Sequence, residues 1–169
     1  MLIYKINTIA LLTIPVGPIE GFRNPLRTDQ YNTMWLSQPD FVGSFETSKY
    51  IYFVFRENAM ESCQADVCGQ TVRSRIGRVC KADEGGQRVG KDNWTTFLKA
   101  TLECSVSTAA AGGSGRGSSA AAFQFNEVQS MQFIESEQKL YATFNTPESG
   151  IAGGAVCRYH CAVPPSDKV

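Results

Sequence analysis

The chain has 169 residues, enough for one domain with an ordinary core. Lysine plus arginine number 16 and aspartate plus glutamate 16, so the chain is neutral apart from its one histidine. That balance excludes the basic excess of a general nucleic-acid binder and gives no polybasic membrane contact. Six cysteines are too few for a disulfide mini-scaffold yet many for a cytosolic domain of this size.

In chain order, MLIYKINTIALLTIPVGPIEGF places Lys5 before a short apolar stretch, Ile6 to Val16. Pro15 and Pro18 interrupt it and no small-x-small cleavage site follows, so residues 1–21 stay unassigned. No stretch approaches the ~20 apolar residues of a membrane helix. From there the readable segments have strand period. Phe41 to Phe45 is a short strand. Tyr50 to Arg56 (YIYFVFR) is apolar on both faces, as a strand buried on both sides would be. Thr71 to Lys81 (TVRSRIGRVCK) is the third. Its Arg73 and Arg75 share one face and Arg78 the other, the pattern of a solvated strand.

Asn93-Trp94-Thr95 is an N-glycosylation sequon, which fits an extracellular chain or a chance triplet. Thr96 to Ser105 (TFLKATLECS) reads as a half-exposed outer strand. Leu98, Ala100, Leu102 and Cys104 lie on one face, and Lys99, Thr101 and Glu103 on the other. Cys80 and Cys104 thus close successive runs, as core residues of a cytosolic enzyme or as disulfide anchors of a secreted β protein. Residues 107–122 are rich in alanine, glycine and serine. Gly115, Gly117 and Ala120 match a loose dinucleotide-binding pattern there, but β-like runs flank it and no helix period follows, so it reads as a flexible surface loop. The strand pattern then restarts with Phe125 to Ile134, Lys139 to Asn145 and Gly154 to His160. Four strands and then three suit propeller blades or a β-sandwich equally.

Chemistry-bearing motifs are scarce. His160 is the lone histidine, and no G-x-S-x-G, Walker loop or H-E-x-x-H accompanies it. No catalytic constellation and no cofactor site is read, so the chain is not expected to be an enzyme. Cys63, Cys68, Cys157 and Cys161, with His160 beside the last, have loose zinc-ligand spacing. Paired cysteines in a secreted β domain look the same.

Several segments together resemble the sema domain of semaphorins: PLRTDQYNTMWLSQPDFVGSFE (25–46), YIYFVFRENAME (50–61), CGQTVRSRIGRVCKADEGG (68–86), NWTTFLKATLECSV (93–106), FNEVQS (125–130) and YATFNTPESGIAGGAVC (141–157). They occur in family order. The resemblance implies an all-β fold, a fragment of a seven-bladed β-propeller holding about two blades. Residues 22–161 would form the partial sema domain, with a complete four-stranded blade about 41–106, the loop 107–122 and an incomplete blade 123–161. Residues 162–169 are unassigned. The family pattern pairs Cys104 with Cys157 and gives Cys80 a partner in a later segment absent from this chain. Cys63 and Cys161 have no family counterpart, and Cys63 with Cys68 allows a short disulfide loop. The resemblance further implies an extracellular guidance ligand, secreted or membrane-anchored, that binds plexin receptors in axon guidance and cell migration and homodimerises when full-length. It implies a truncated copy that is poorly stable alone, because blade faces meant for neighbours would be exposed. A plexin-like receptor fragment and a small zinc-binding β module are the rival expectations.

Overall fold

β-Branched and aromatic residues lead the strand-forming runs, and the described residues form nine strands from them. The computed structural model describes residues 26–29, 32–62, 71–88, 90–107, 122–147 and 150–161, divided into two units between Leu102 and Glu103. Among the described residues no helix is long and apolar enough to cross a membrane.

The first unit is an antiparallel meander of β1 (Asp40–Glu46), β2 (Tyr50–Asn58), β3 (Val72–Cys80) and β4 (Leu98–Thr101), in that order across the sheet. An extra residue at Val42 bulges β1, where the pairing passes from Phe41↔Phe55 to Gly43↔Val54. Register places Phe53, Phe55 and Glu57 of β2 on one face with Arg75, Gly77 and Val79 of β3. That face is the core: Phe53, Phe55 and Val79 pack with Leu26, Trp94 and Phe97, edged by Trp35, Leu36, Phe41 and Ile51. Trp35 stacks on Phe97 at 5.6 Å between centroids, and Phe41 meets Phe55 at 5.3 Å. Each buried large side chain contributes about 1.5–3 kcal/mol. Gly77 makes the packing feasible, since a Cβ there would lie 3.2 Å from both the Phe55 and the Phe97 ring. On the opposite face Phe45 stacks on Tyr52 at 4.8 Å and the Arg78 guanidinium lies 4.6 Å over Tyr50.

The second unit holds a two-stranded sheet, β5 (Cys104–Ser107) with β6 (Ala122–Phe125), and a meander of β7 (Glu127–Ile134), β8 (Lys139–Asn145) and β9 (Gly154–His160). β7 carries a bulge at Gln129, and a 3-10 turn with Gln138 at φ 52° joins it to β8. Val128, Leu140, Ala142 and Phe144 are fully buried on one face. Ser130, Thr143, Val156, Arg158 and His160 share the other, largely solvent-facing side.

Two expected strands are each two. The run 96–105 breaks at Leu102 and Glu103. β4 pairs with β3, whereas Cys104–Ser107 pairs with β6. The run 125–134 breaks at Asn126, so Phe125 belongs to β6 and not to β7. Ser107 and Ala122, read as loop ends, lie in paired strands. On β4 the apolar face is the outer one. Leu98 and Ala100 are exposed, while Lys99 turns to the core side and reaches Glu57. Alternation shows that two faces differ but not which one a neighbouring carboxylate claims.

Candidate functional site

The connection from β3 to β4 turns on Asp83. Gly85 N–H donates to its Oδ1 at 2.9 Å, the Asx-turn that an Asp-x-Gly sequence favours. Thr95 Oγ1 donates to Oδ1 at 2.8 Å, and the Thr95 and Thr96 N–H groups reach Oδ2 at 3.0 and 2.8 Å. Thr96 Oγ1 completes the clasp at 2.6 Å from Oδ2 and accepts Cys80 N–H at 2.9 Å. Burial pushes the Asp83 carboxyl up, but the hydrogen bonds from Thr96, Gly85 and Thr95 outweigh it and hold the group below its ordinary value. Gly85 has φ +78° and a Cβ there would lie 2.5 Å from the Leu26 Cδ2, so any other residue would strain the turn.

A second polar centre closes the far end of the same core. Glu57 is 2 % exposed; its Oε1 accepts Arg75 Nε at 3.1 Å and Lys99 Nζ at 2.5 Å, and its Oε2 accepts Ser37 N–H at 3.1 Å. Arg75 also binds Glu61 and Thr101. Burial raises the Glu61 carboxyl, yet the Arg75 hydrogen bond and the charges of Arg75 and Lys99 bring it below its ordinary value. Two cations and two carboxylates satisfy one another, so the cluster leaves no spare base or acid. It orients strands. Arg75, expected on a solvated face, is buried because Glu57 offers it a partner.

The expected site residues fall as follows. Cys104 and Cys157 form a disulfide with Cα atoms 5.8 Å apart, tying β5 to β9, and the Tyr159 hydroxyl donates to the Glu103 carbonyl at 3.0 Å beside it. Burial, helped by the charge of Glu103, pushes the Tyr159 phenol up to about 12. Cys80, at the end of β3, and Cys161, after β9, carry free, half-buried thiols. Burial raises the Cys161 thiol above its ordinary value, against a hydrogen bond from the Leu140 backbone. Cys63, Cys68, Gly115, Gly117 and Ala120 lie outside the described residues. The zinc reading loses a ligand, because Cys157 is spent in its disulfide, and His160 is exposed on the solvent face. Among the described residues no three His, Cys, Asp or Glu come together as a metal site. Asn93 is half-buried in a turn whose strand-like bridge to Arg27 orders the loop. A depression of ≈ 330 Å³ lies over Asn145, Thr146, Pro147, Gly150, Ala152 and Gly153, with the Thr146 hydroxyl already donating to Ile151 O at 2.8 Å. It has no charged lining residue.

Sequence reasoning missed the Asp83 clasp and the Glu57 cluster. Their signals were an aspartate two residues before a glycine and a lone acid ending an apolar strand.

A four-stranded antiparallel meander followed by a two-stranded and a three-stranded sheet defines an all-β chain of propeller type. No family model matches it. It is 45 % identical to "Semaphorin 5c" of Drosophila melanogaster over 143 residues, which is 84 % of this chain and 12 % of that relative. The solved structure "Drosophila Semaphorin 2a" superposes with a TM-score of 0.65 at 44 % identity, over 80 % of this chain and 20 % of that one. A chain in "Drosophila Plexin A in complex with Semaphorin 1b" gives 0.64 at 42 % identity, over 79 % and 24 %. The chain belongs to the semaphorin family: it is a partial sema domain, about two blades of a seven-bladed β-propeller.

Proposed function

We propose that this chain is part of an extracellular semaphorin-type ligand that signals by binding a plexin-family receptor, in axon guidance and cell migration, with no chemistry of its own. The observation that carries this is its 42 % identity, over 79 % of its length, to a chain in the structure of Drosophila Plexin A with Semaphorin 1b. In this reading β1–β4 form one complete blade, and β7–β9 are three strands of the next. The Cys104–Cys157 disulfide supports an oxidising, extracellular location. The full-length protein would pair as a homodimer.

The test is surface plasmon resonance of the secreted chain over an immobilised plexin ectodomain. Saturable binding that is lost on reduction of the disulfide supports the reading. A chain that is folded by circular dichroism and fails to bind overturns it.

A further inference from the structure

The sequon Asn93-Trp94-Thr95 sits inside the Asp83 clasp. To accept a sugar, this triplet must lie extended in a transferase groove, with the Thr95 hydroxyl free to be read. Thr95 is solvent-exposed, yet the fold engages its hydroxyl and holds the triplet's backbone in a turn. Thr95 Oγ1 donates to Asp83 Oδ1 at 2.8 Å and its N–H to Oδ2 at 3.0 Å. The Trp94 ring is buried in the core, and the Trp94 backbone N–H donates to the Arg27 carbonyl at 2.9 Å. Asn93 N–H donates to Gly90 O at 2.8 Å, and its carbonyl accepts Gly86 N–H at 3.1 Å. The acceptor atom itself is not enclosed. Asn93 is partly exposed, and the side next to Nδ2 is a glycine: a Cβ on Gly90 would lie 3.6 Å from it.

From these contacts we infer that Asn93 is an N-glycan acceptor open only until the Asp83 clasp closes, so that folding itself ends the modification. The inference rests on the extracellular reading above, since the donor is met on the secretory route. In the step, Asn93 Nδ2 attacks C1 of the first sugar of a lipid-diphosphate-linked oligosaccharide. The N–C1 bond forms as the C1–O bond breaks. The lipid diphosphate leaves with the electron pair, and one amide proton passes to a base. Nothing is oxidised or reduced. The finished sugar stands outside the turn, displacing no hydrogen bond among the described residues, and the clasp then closes beneath it.

The test uses glycan-free full-length chain and an unfolded peptide of residues 88–100, each incubated with an oligosaccharyltransferase and a lipid-linked oligosaccharide. Hydrogen exchange at the Thr95 and Thr96 amides, on the same chain sample, reports whether the clasp is closed. The peptide is expected to be glycosylated. The chain with protected amides should be modified at least about tenfold more slowly, because only its rare open state is an acceptor. Asp83→Ala should restore acceptance in the chain, and Asn93→Gln should abolish it in both. Modification of chain with protected amides at a rate within about tenfold of the peptide's overturns the inference, as does a peptide that is not modified or a chain whose amides are unprotected. This assay needs no secretion. The separate finding of an unglycosylated chain in the cytosol of expressing cells would count against the extracellular reading and leave the acceptor chemistry standing.

Discussion

The two units hold themselves together by different means. The first has a ten-member apolar cluster and two buried polar centres, at Asp83 and Glu57, each satisfied by several donors. The second has two smaller sheets and a covalent bond across them, Cys104–Cys157. Long connections explain the contrast. In the first unit residues 81–88 and 90–97 return along the core and bring Trp94, Phe97 and the clasp donors with them. In the second, the disulfide closes a separation of 53 residues. A long loop is a large entropic liability that either buried contacts or a cross-link must offset.

Both tryptophans, Trp35 and Trp94, lie in the first unit, so their fluorescence follows it alone. Glu57→Leu should be the most damaging change, costing about 3–5 kcal/mol, because it leaves Arg75 and Lys99 without their shared carboxylate. The fluorescence midpoint in urea should drop accordingly; an unchanged midpoint would mean that the cluster is not buried. Cys157→Ala, or reduction, should cost about 4 kcal/mol by the loop-entropy argument. Its effect should appear as faster amide exchange in β7, β8 and β9 with the tryptophan midpoint unmoved. A shift in that midpoint would erase the contrast between the units.

Asp83→Asn should cost about 1.5–3 kcal/mol, the worth of hydrogen bonds to a charged acceptor. A pH series sharpens this. The Asp83 carboxyl titrates below its ordinary 3.8 when folded, so its contribution is fully present above the unfolded value and is lost as pH falls through 3.8 and below. The tryptophan midpoint of the wild type should therefore fall more steeply in that acid range than that of Asp83→Asn; parallel curves would show that the clasp carries no charge. The smallest effect is expected at Leu98, which is 58 % exposed on β4. Leu98→Lys should change stability by less than about 0.5 kcal/mol. A larger loss would mean that β4 lies with its other face inward.

Most strands were legible because their period is local. Tyr50–Asn58 and Lys139–Asn145 stand in the structure close to where alternation places them. The two breaks, at Leu102–Glu103 and Asn126, were not legible. No glycine or proline marks them, and each arises because the chain changes its pairing partner. Of the site, the cysteine link followed from the semaphorin resemblance and not from spacing. Arg75 could not be placed from its own strand, since alternation set it beside Arg73 while its partners Glu57, Glu61 and Thr101 come from elsewhere.

Sequence by itself determined the all-β character, the sema-type motif order and the sequon, because each depends on residues near one another in the chain. Tertiary structure alone decided which face of β4 turns inward, which charges are buried, and that the Thr95 hydroxyl is hydrogen-bonded to Asp83. Those outcomes depend on which distant donor or acceptor arrives within about 3 Å, and hydrogen-bond energy falls too steeply with distance for composition to reveal it.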